Sequence, residues 1–162
     1  MGAGYQLVIG NKNYSSWSMR PWVWLRHHDI AFETHMVSLY AASTRAEISR
    51  FACGTTVPIL IDGDVRIWDS LAILEYLAER HPQFNGWPKD PAVRAVARSV
   101  CAEMHSGFAA LRAALPMNCR RTVESIELTE SVRQDLTELR NYLPNVVRDI
   151  HKMVIGCSGN IL

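Results

Sequence analysis

Three serine hydroxyls lie close together near the start of the chain, in the segment 13–20 with the sequence NYSSWSMR. The preceding apolar run Tyr5–Ile9 predicts a strand, and the apolar residues 22–25 predict a helix. The first amides of a helix lack intrahelical partners, so hydroxyls at a strand-to-helix turn form a pocket suited to an anion. The structural alternative is helix capping, because serine is among the commonest N-cap residues.

Two later segments also place polar groups or exposed backbone at the boundary of an element. Val57 and Pro58 stand at the start of an apolar strand, and Asp69 and Ser70 stand at the start of a helix. Each pair has an ordinary structural explanation, since proline is tolerated where a strand begins and both Asp and Ser cap helices. Their order and spacing after the serine segment are more specific than either pair alone.

The elements that position these residues alternate between strand and helix over the first 80 residues. The predicted strands are Tyr5–Ile9, 32–37, 58–61 and 65–68, and the predicted helices are 18–28, 44–51 and 70–80. An Asp-Gly step at 62–63 predicts a hairpin turn between the last two strands, because glycine adopts the positive φ that such turns need. The resulting order, β-α-β-α-β-β-α, is thioredoxin-like.

The second half of the chain has a helical pattern. Proline and glycine residues in 83–91 predict a linker. From residue 92, apolar residues recur at intervals of three and four, which predicts one helix of about six turns that ends before Pro116. A second helix is predicted from about Ser125. These features divide the chain into a domain over 1–82, a linker over 83–91 and a helical domain over 92–162.

The composition excludes several classes of function. The chain has 162 residues, 48% of them apolar, and a formal net charge of +1, which gives no reason to expect a nucleic-acid or anionic-membrane partner. No apolar run reaches ~18 residues and no secretory signal is visible, so we expect a cytoplasmic protein. The four scattered cysteines, Cys53, Cys101, Cys119 and Cys157, are expected to be free thiols, and their spacing predicts no metal site.

Taken together, the serine turn, the Val-Pro strand, the hairpin and the acidic-Ser helix start resemble the glutathione site of glutathione S-transferases. The Ser-Ser-x-Ser-x-Arg form is similar to that of the zeta class and a group of bacterial relatives. The fold implied is α/β plus all-α, with a thioredoxin-like N-terminal domain followed by a truncated helical C-terminal domain. The resemblance implies reduced glutathione as co-substrate, no metal, and a homodimer.

The resemblance also assigns roles to residues. Ser15 matches the catalytic serine that stabilises the glutathione thiolate, and Ser16 is the alternative. The implied glutathione-binding set is Ser15, Ser16, Trp17, Val57, Pro58, Asp69 and Ser70. Within it, the Val57 backbone pairs with the cysteinyl unit, and the Asp69–Ser70 helix start holds the γ-glutamyl end. Arg45 is a candidate for the glycyl carboxylate by its charge and position.

The resemblance implies a second-substrate site for an apolar electrophile between the two domains, formed by Trp17, Met104, His105 and Phe108. Three functions follow as hypotheses. The first is a detoxifying transferase whose thiolate attacks the electrophile, with conjugation, isomerisation and peroxide reduction left open. The second is a non-catalytic binding or interaction module with the same fold. The third is a truncated, inactive product.

Overall fold

The computed structural model of the chain describes residues 4–51, 54–122, 125–141 and 144. The elements are, in order, β1 (Tyr5–Ile9), α1 (Ser16–His27), β2 (Phe32–Met36), α2 (Thr44–Ile48), β3 (Ile59–Asp62), β4 (Val65–Trp68), α3 (Ser70–Arg80), a 3-10 turn (Pro82–Phe84), α4 (Pro91–Ser106) and α5 (Ala109–Ala114). Residues 130–141 are also helical. The prediction of a thioredoxin-like sheet domain followed by helices is confirmed.

The chain divides into two compact units between Gly86 and Trp87, within the predicted linker. The first unit also includes the segment Met117–Arg121, and the second resumes at Thr122. Of the four cysteines, Cys101 is half-buried and Cys119 is exposed, and neither forms a disulfide bond. Cys53, Cys157 and the rest of the segment 145–162 lie outside the described residues.

The first unit is built on a four-stranded sheet with the order β2-β1-β3-β4. Strands β1 and β2 are parallel, whereas β3 is antiparallel to both β1 and β4. Ile59, the first residue of β3, pairs with Val8 near the end of β1 and with Trp68 at the end of β4. As a result, the loops that follow β1, β2 and β4 and the segment that precedes β3 all emerge at one edge of the sheet, which we call the loop edge.

Successive side chains along each strand point to opposite faces of the sheet, and each face has a buried core. Helices α1 and α3 cover one face, where the buried residues are Leu7, Ile9, Leu25, Leu60, Ile73 and Leu77. The other face, which includes Ile48 of α2, buries Val8, Val37, Ile48, Ile59 and Ile61. Full burial of each such side chain contributes about 1.5–3 kcal/mol. The loop edge is therefore supported on both faces of the sheet.

The predicted single helix from residue 92 to residue 115 is wrong. Helix α4 ends at Ser106, and Phe108 adopts a left-handed conformation with φ 61° before α5 begins. The Phe108 side chain is buried, with 6% exposed, and the Arg112 guanidinium donates hydrogen bonds to the Gly107 and Met104 carbonyls. Burial of Phe108 and these bonds stabilise the break, while the apolar spacing continues across it.

The second predicted helix begins later than expected, at residue 130. The Thr129 hydroxyl accepts a hydrogen bond from the backbone N–H of Val132 at 3.4 Å, the arrangement of an N-cap. The carboxylate of Asp135 on this helix accepts a hydrogen bond from the Leu111 N–H at 2.8 Å. The start of α5, which has no side-chain cap of its own, is thus held by a residue 24 positions further along the chain.

Candidate functional site

Ser15 follows the β1–α1 loop and is the N-cap residue of α1, with φ −84° and ψ 81°. Its side chain makes no capping hydrogen bond, so the structural alternative of a capping hydroxyl does not describe Ser15. The hydroxyl instead donates a hydrogen bond to Oγ of Ser18 at 2.7 Å. Ser15 is 8% exposed, and its hydroxyl therefore lies in a defined, nearly buried position at the loop edge.

Ser18 links this serine pair to the sheet. Its Oγ also accepts a hydrogen bond from the backbone N–H of Gly10 at 3.2 Å, and the residue is only 2% exposed. Gly10 directly follows β1, and a Cβ at this position would lie 2.6 Å from a methyl carbon of Leu39. Close packing at Gly10 therefore fixes the backbone group that anchors Ser18.

The loop before Ser15 is held by Asn11. The Asn11 carbonyl accepts hydrogen bonds from the backbone N–H groups of Tyr14 at 3.0 Å and Ser15 at 2.9 Å. The Asn11 side-chain oxygen accepts another from the Leu39 N–H at 2.7 Å, which ties the loop to the segment after β2. Asn13 donates to the Asn118 side chain at 2.9 Å, so the segment Met117–Arg121 also contacts this loop.

Ser16 and Trp17 form the first turn of α1. Ser16 is half-buried, and within the described ranges its hydroxyl has no hydrogen-bond partner. The Trp17 ring lies 4.1 Å from the Arg20 guanidinium carbon in a cation–π contact. The two adjacent serines thus differ, since the Ser15 hydroxyl is nearly buried and bonded while the Ser16 hydroxyl is available to another group.

The peptide bond between Val57 and Pro58 is cis. Pro58 is buried, and Val57 is half-buried against the core on the α2 face of the sheet. Because the next residue, Ile59, pairs with Val8, the Val57 backbone lies at the loop edge beside the end of β1.

Asp69 caps α3, as the sequence allowed. One oxygen, Oδ1, accepts hydrogen bonds from the N–H groups of Leu71 at 2.8 Å and Ala72 at 3.3 Å. Asp69 has φ 78° and ψ 129°, a conformation that residues with a Cβ rarely adopt. Ser70 is 3% exposed, and no described side chain or backbone group bonds its hydroxyl.

The sheet brings four of the predicted residues, Ser15, Val57, Asp69 and Ser70, to the loop edge. Helices α1 and α3 both begin there and pack against each other, so two positive helix termini lie at the same edge. The predicted second-substrate residues Met104, His105 and Phe108 belong to the second unit, whereas Trp17 belongs to the first.

Two cavities open at the loop edge. One of about 390 Å³ is lined by Tyr40, Ala41, Ala42, Thr44, Arg45 and Thr55. The other, of about 580 Å³, is lined by Asn11, Lys12, Asn13, Tyr14, Met36, Asn118 and Arg120. Among the described residues, neither lining contains an acidic side chain.

Sequence reasoning missed the contribution of segment 117–121. Asn118 and Arg120 line the larger cavity, although the sequence places them near the end of a helical stretch and Arg120 is exposed in a turn. The only signal was Pro116, which marks the end of the helix and frees the following residues to return to the first unit.

Across the ranges that the structure describes, no group of three or more His, Cys, Asp or Glu side chains is arranged to hold a metal ion. No helix in those same ranges is long and apolar enough to cross a membrane.

The family match lies within the first unit of the chain. Residues 14–80 match the family described as glutathione S-transferase, N-terminal domain. A probable maleylacetoacetate isomerase of Caenorhabditis elegans is 36% identical over 94 residues, covering 57% of this chain and 42% of that protein. Glutathione S-transferase Z1 of Arabidopsis thaliana is 31% identical over 104 residues, covering 64% of this chain and 44% of that protein.

Solved structures share the fold. A glutathione transferase homologue from Burkholderia with bound glutathione superposes with a TM-score of 0.58 at 28% identity, covering 69% of this chain and 60% of that one. A diazinon-metabolizing glutathione S-transferase of Bombyx mori superposes with a TM-score of 0.69 at 20% identity, covering 88% and 68%. The chain spans less than half the length of the two curated relatives. The match over residues 14–80, together with the sheet order, shows that the first unit is similar to the N-terminal domain of glutathione S-transferases.

Proposed function

We propose that the loop edge binds reduced glutathione and that the Ser15 hydroxyl stabilises its thiolate for attack on an electrophilic apolar substrate. The observation that supports this proposal best is the strand register, which brings Ser15, Val57 and the Asp69–Ser70 helix start to one edge. Glutathione offers a thiol, a peptide backbone and an amino-acid end, and each of the three segments suits one of these groups.

At the thiol end, the required stabilisation is modest. Lowering the pKa of a thiol from ~8.5 to near 7 requires about 2 kcal/mol. A hydrogen bond from Ser15 to a charged sulfur supplies about 1.5–3 kcal/mol, and the N-terminus of α1 adds about 0.3–1 kcal/mol. The two contributions together are sufficient. The Ser16 hydroxyl is the alternative donor, since it is half-buried and bonds no described group.

The rest of glutathione is proposed to lie along the other segments. The Val57 backbone, next to Pro58, pairs with the cysteinyl unit. The γ-glutamyl carboxylate accepts from the Ser70 hydroxyl and the first amides of α3, and the ammonium faces the Asp69 carboxylate. Arg45 lines the 390 Å³ cavity with Thr55, two residues before Val57, and suits the glycyl carboxylate.

The electrophile is proposed to use the 580 Å³ cavity, whose lining residue Tyr14 immediately precedes Ser15. A volume of this size suits a small organic molecule. In the reaction the protein supplies position and charge stabilisation and forms no covalent bond to the substrate. Conjugation and glutathione-dependent isomerisation both begin from the bound thiolate, so the proposal covers either outcome.

The test combines ligand-induced stabilisation with turnover. Glutathione at ~100 times its Kd adds ~2.7 kcal/mol, which raises the unfolding midpoint of a chain this size by roughly 5–11 °C. We expect Ser15→Ala to keep that rise and to lower conjugation of a model electrophile about 10- to 100-fold. The matched control is Ser99→Ala, an exposed serine of α4 whose hydroxyl donates to the Ala95 carbonyl.

The outcomes separate the assignments. Full turnover in Ser15→Ala together with loss of turnover in Ser16→Ala assigns the sulfur contact to Ser16. No rise of the midpoint with glutathione refutes binding at the loop edge.

A second candidate function is a binding module without transferase activity. It requires only the first unit, in which the family match lies. Glutathione binding without conjugation across a panel of electrophiles would support this candidate. An inactive product is the limiting case, and a cooperative unfolding transition in the purified chain argues against it. The homodimer implied by the resemblance is tested by light scattering on the same sample.

A further inference from the structure

We propose that Ser18 is a positioning residue for Ser15, which turns its own hydroxyl toward Ser15 Oγ when Ser15 donates to the sulfur of glutathione. This inference rests on the proposed function, and it assigns a task to a buried polar group that the proposed function leaves unused. Ser18 is 2% exposed, and a polar side chain buried to that degree is costly unless its hydrogen-bonding groups are satisfied.

The arrangement observed leaves one hydrogen unused. Ser18 Oγ accepts from Ser15 Oγ at 2.7 Å and from the Gly10 N–H at 3.2 Å, so both of its bonds are acceptor bonds. A hydroxyl also carries one donor hydrogen, and none of the described groups accepts that of Ser18. Ser15, in turn, commits its only donor hydrogen to Ser18 rather than to the loop edge.

Reversal of the serine pair satisfies every group. When Ser15 turns its hydrogen to a thiolate, its Oγ becomes an acceptor for the idle Ser18 hydrogen, while the Gly10 N–H continues to donate to Ser18. The chain of bonds then runs from the Gly10 N–H through Ser18 and Ser15 to sulfur, with three bonds where two existed. Bonds in such a chain polarise one another, and each strengthens the next by about 10–30%.

The backbone keeps this relay in place. Gly10 follows β1 directly, and a Cβ there would lie 2.6 Å from the Leu39 side chain, which would have to shift to admit it. Ser18 lies one turn along α1 from Ser15, with its oxygen between the two donors. Ser18 therefore sets the direction of the Ser15 hydroxyl without itself touching glutathione.

The experiment measures the pKa of the bound thiol from the ultraviolet absorbance of its thiolate in the full chain saturated with reduced glutathione. We expect Ser15→Ala to raise that pKa by about one unit or more, and Ser18→Ala by about half a unit. In the double variant, Ser18→Ala is expected to add nothing to the effect of Ser15→Ala, because Ser18 acts through Ser15. Ser18→Cys keeps roughly the size of serine and a weak hydrogen-bond donor. We expect its bound-thiol pKa to lie between those of the parent and Ser18→Ala, and this variant serves as the test if Ser18→Ala folds poorly.

Each result is decisive. An unchanged or lowered thiol pKa in Ser18→Ala, with a raised one in Ser15→Ala, overturns the relay and leaves the proposed function standing. The relay is also overturned if Ser18→Ala raises the thiol pKa by the same amount in the parent and in Ser15→Ala. Failure of the parent chain to bind glutathione, measured by calorimetry, instead overturns the proposed function on which the relay rests.

Discussion

Asp69 offers a direct test of whether the loop edge is built for a ligand rather than for stability. Its φ of 78° and ψ of 129° are typical of glycine, yet the residue is aspartate, half-buried, and the cap of α3. We expect Asp69→Gly to leave the chain as stable as the parent or more stable, and to weaken glutathione binding about tenfold.

The expected stability follows from three terms. Relief of a strained backbone conformation gains about 1–3 kcal/mol. Replacement of an aspartate cap by glycine costs a few tenths of a kcal/mol, and the greater freedom of glycine in the unfolded chain costs about 0.5–1 kcal/mol. The sum lies between about zero and 2 kcal/mol in favour of Asp69→Gly. Asp69→Ala keeps the strain and loses the cap, so we expect it to lose about 1 kcal/mol, or roughly 2–4 °C.

The affinity for glutathione separates the effect of the Asp69 charge from its effect as a helix cap. Loss of the carboxylate that faces the glutathione ammonium removes a charged hydrogen bond, and a tenfold weaker Kd corresponds to ~1.4 kcal/mol. Asp69→Asn is the matched control, because asparagine caps equally well and tolerates positive φ but carries no charge. We expect it to retain stability and to bind as weakly as Asp69→Gly. The measurements are thermal unfolding and titration calorimetry, and unchanged affinity in all three variants would refute the assigned role.

Two further predictions concern the first unit alone. The pKa of His81 is lowered mainly by burial and secondly by the charge of Arg80. Near that pKa the unfolded chain therefore binds more protons than the folded one. Stability should therefore decrease as the pH falls below ~6.5, and His81→Gln should flatten that slope in unfolding midpoints recorded between about pH 5 and 8; a slope that persists in the variant would assign it to another group. Gly10→Ala places a Cβ 2.6 Å from Leu39 and should cost about 1–3 kcal/mol, whereas Gly4→Ala meets no atom within 4 Å and should be neutral; equal unfolding midpoints for the two variants would contradict the packing argument.

The sequence was sufficient where the structural signal is local. The apolar run Tyr5–Ile9 and the Asp-Gly turn before Val65 predicted β1 and the β3–β4 hairpin, and Gly63 adopts the positive φ that the turn requires. A cap at Asp69 or Ser70 was predicted for the same reason, since a cap depends on residues within one turn of the helix, and the structure has it at Asp69. Such signals need no knowledge of the rest of the chain.

The sequence was insufficient where burial decides between conformations that the local sequence favours equally. The apolar spacing from Val93 to Leu115 is the same whether or not the helix is broken, so it could not indicate the left-handed turn at Phe108. Gly107 was the available signal, because a glycine within a helical pattern lowers its stability by about 1 kcal/mol relative to alanine. A residue 24 positions beyond Leu111 then completes the start of α5, and no local rule predicts that.

The serines of the first helix illustrate the same division at the level of chemistry. Ser15, Ser16 and Ser18 have the same side chain and, in the sequence, the same prospect of capping the helix. They differ in what surrounds them. Packing of α1 beside the end of β1 buries Ser18 against the Gly10 N–H and places the Ser15 Oγ 2.7 Å from the Ser18 Oγ. The direction of one hydroxyl thus depends on a strand, a close glycine contact and a second serine. For this reason the order of motifs predicted the family resemblance, while the chemistry proposed for Ser15 needed the structure.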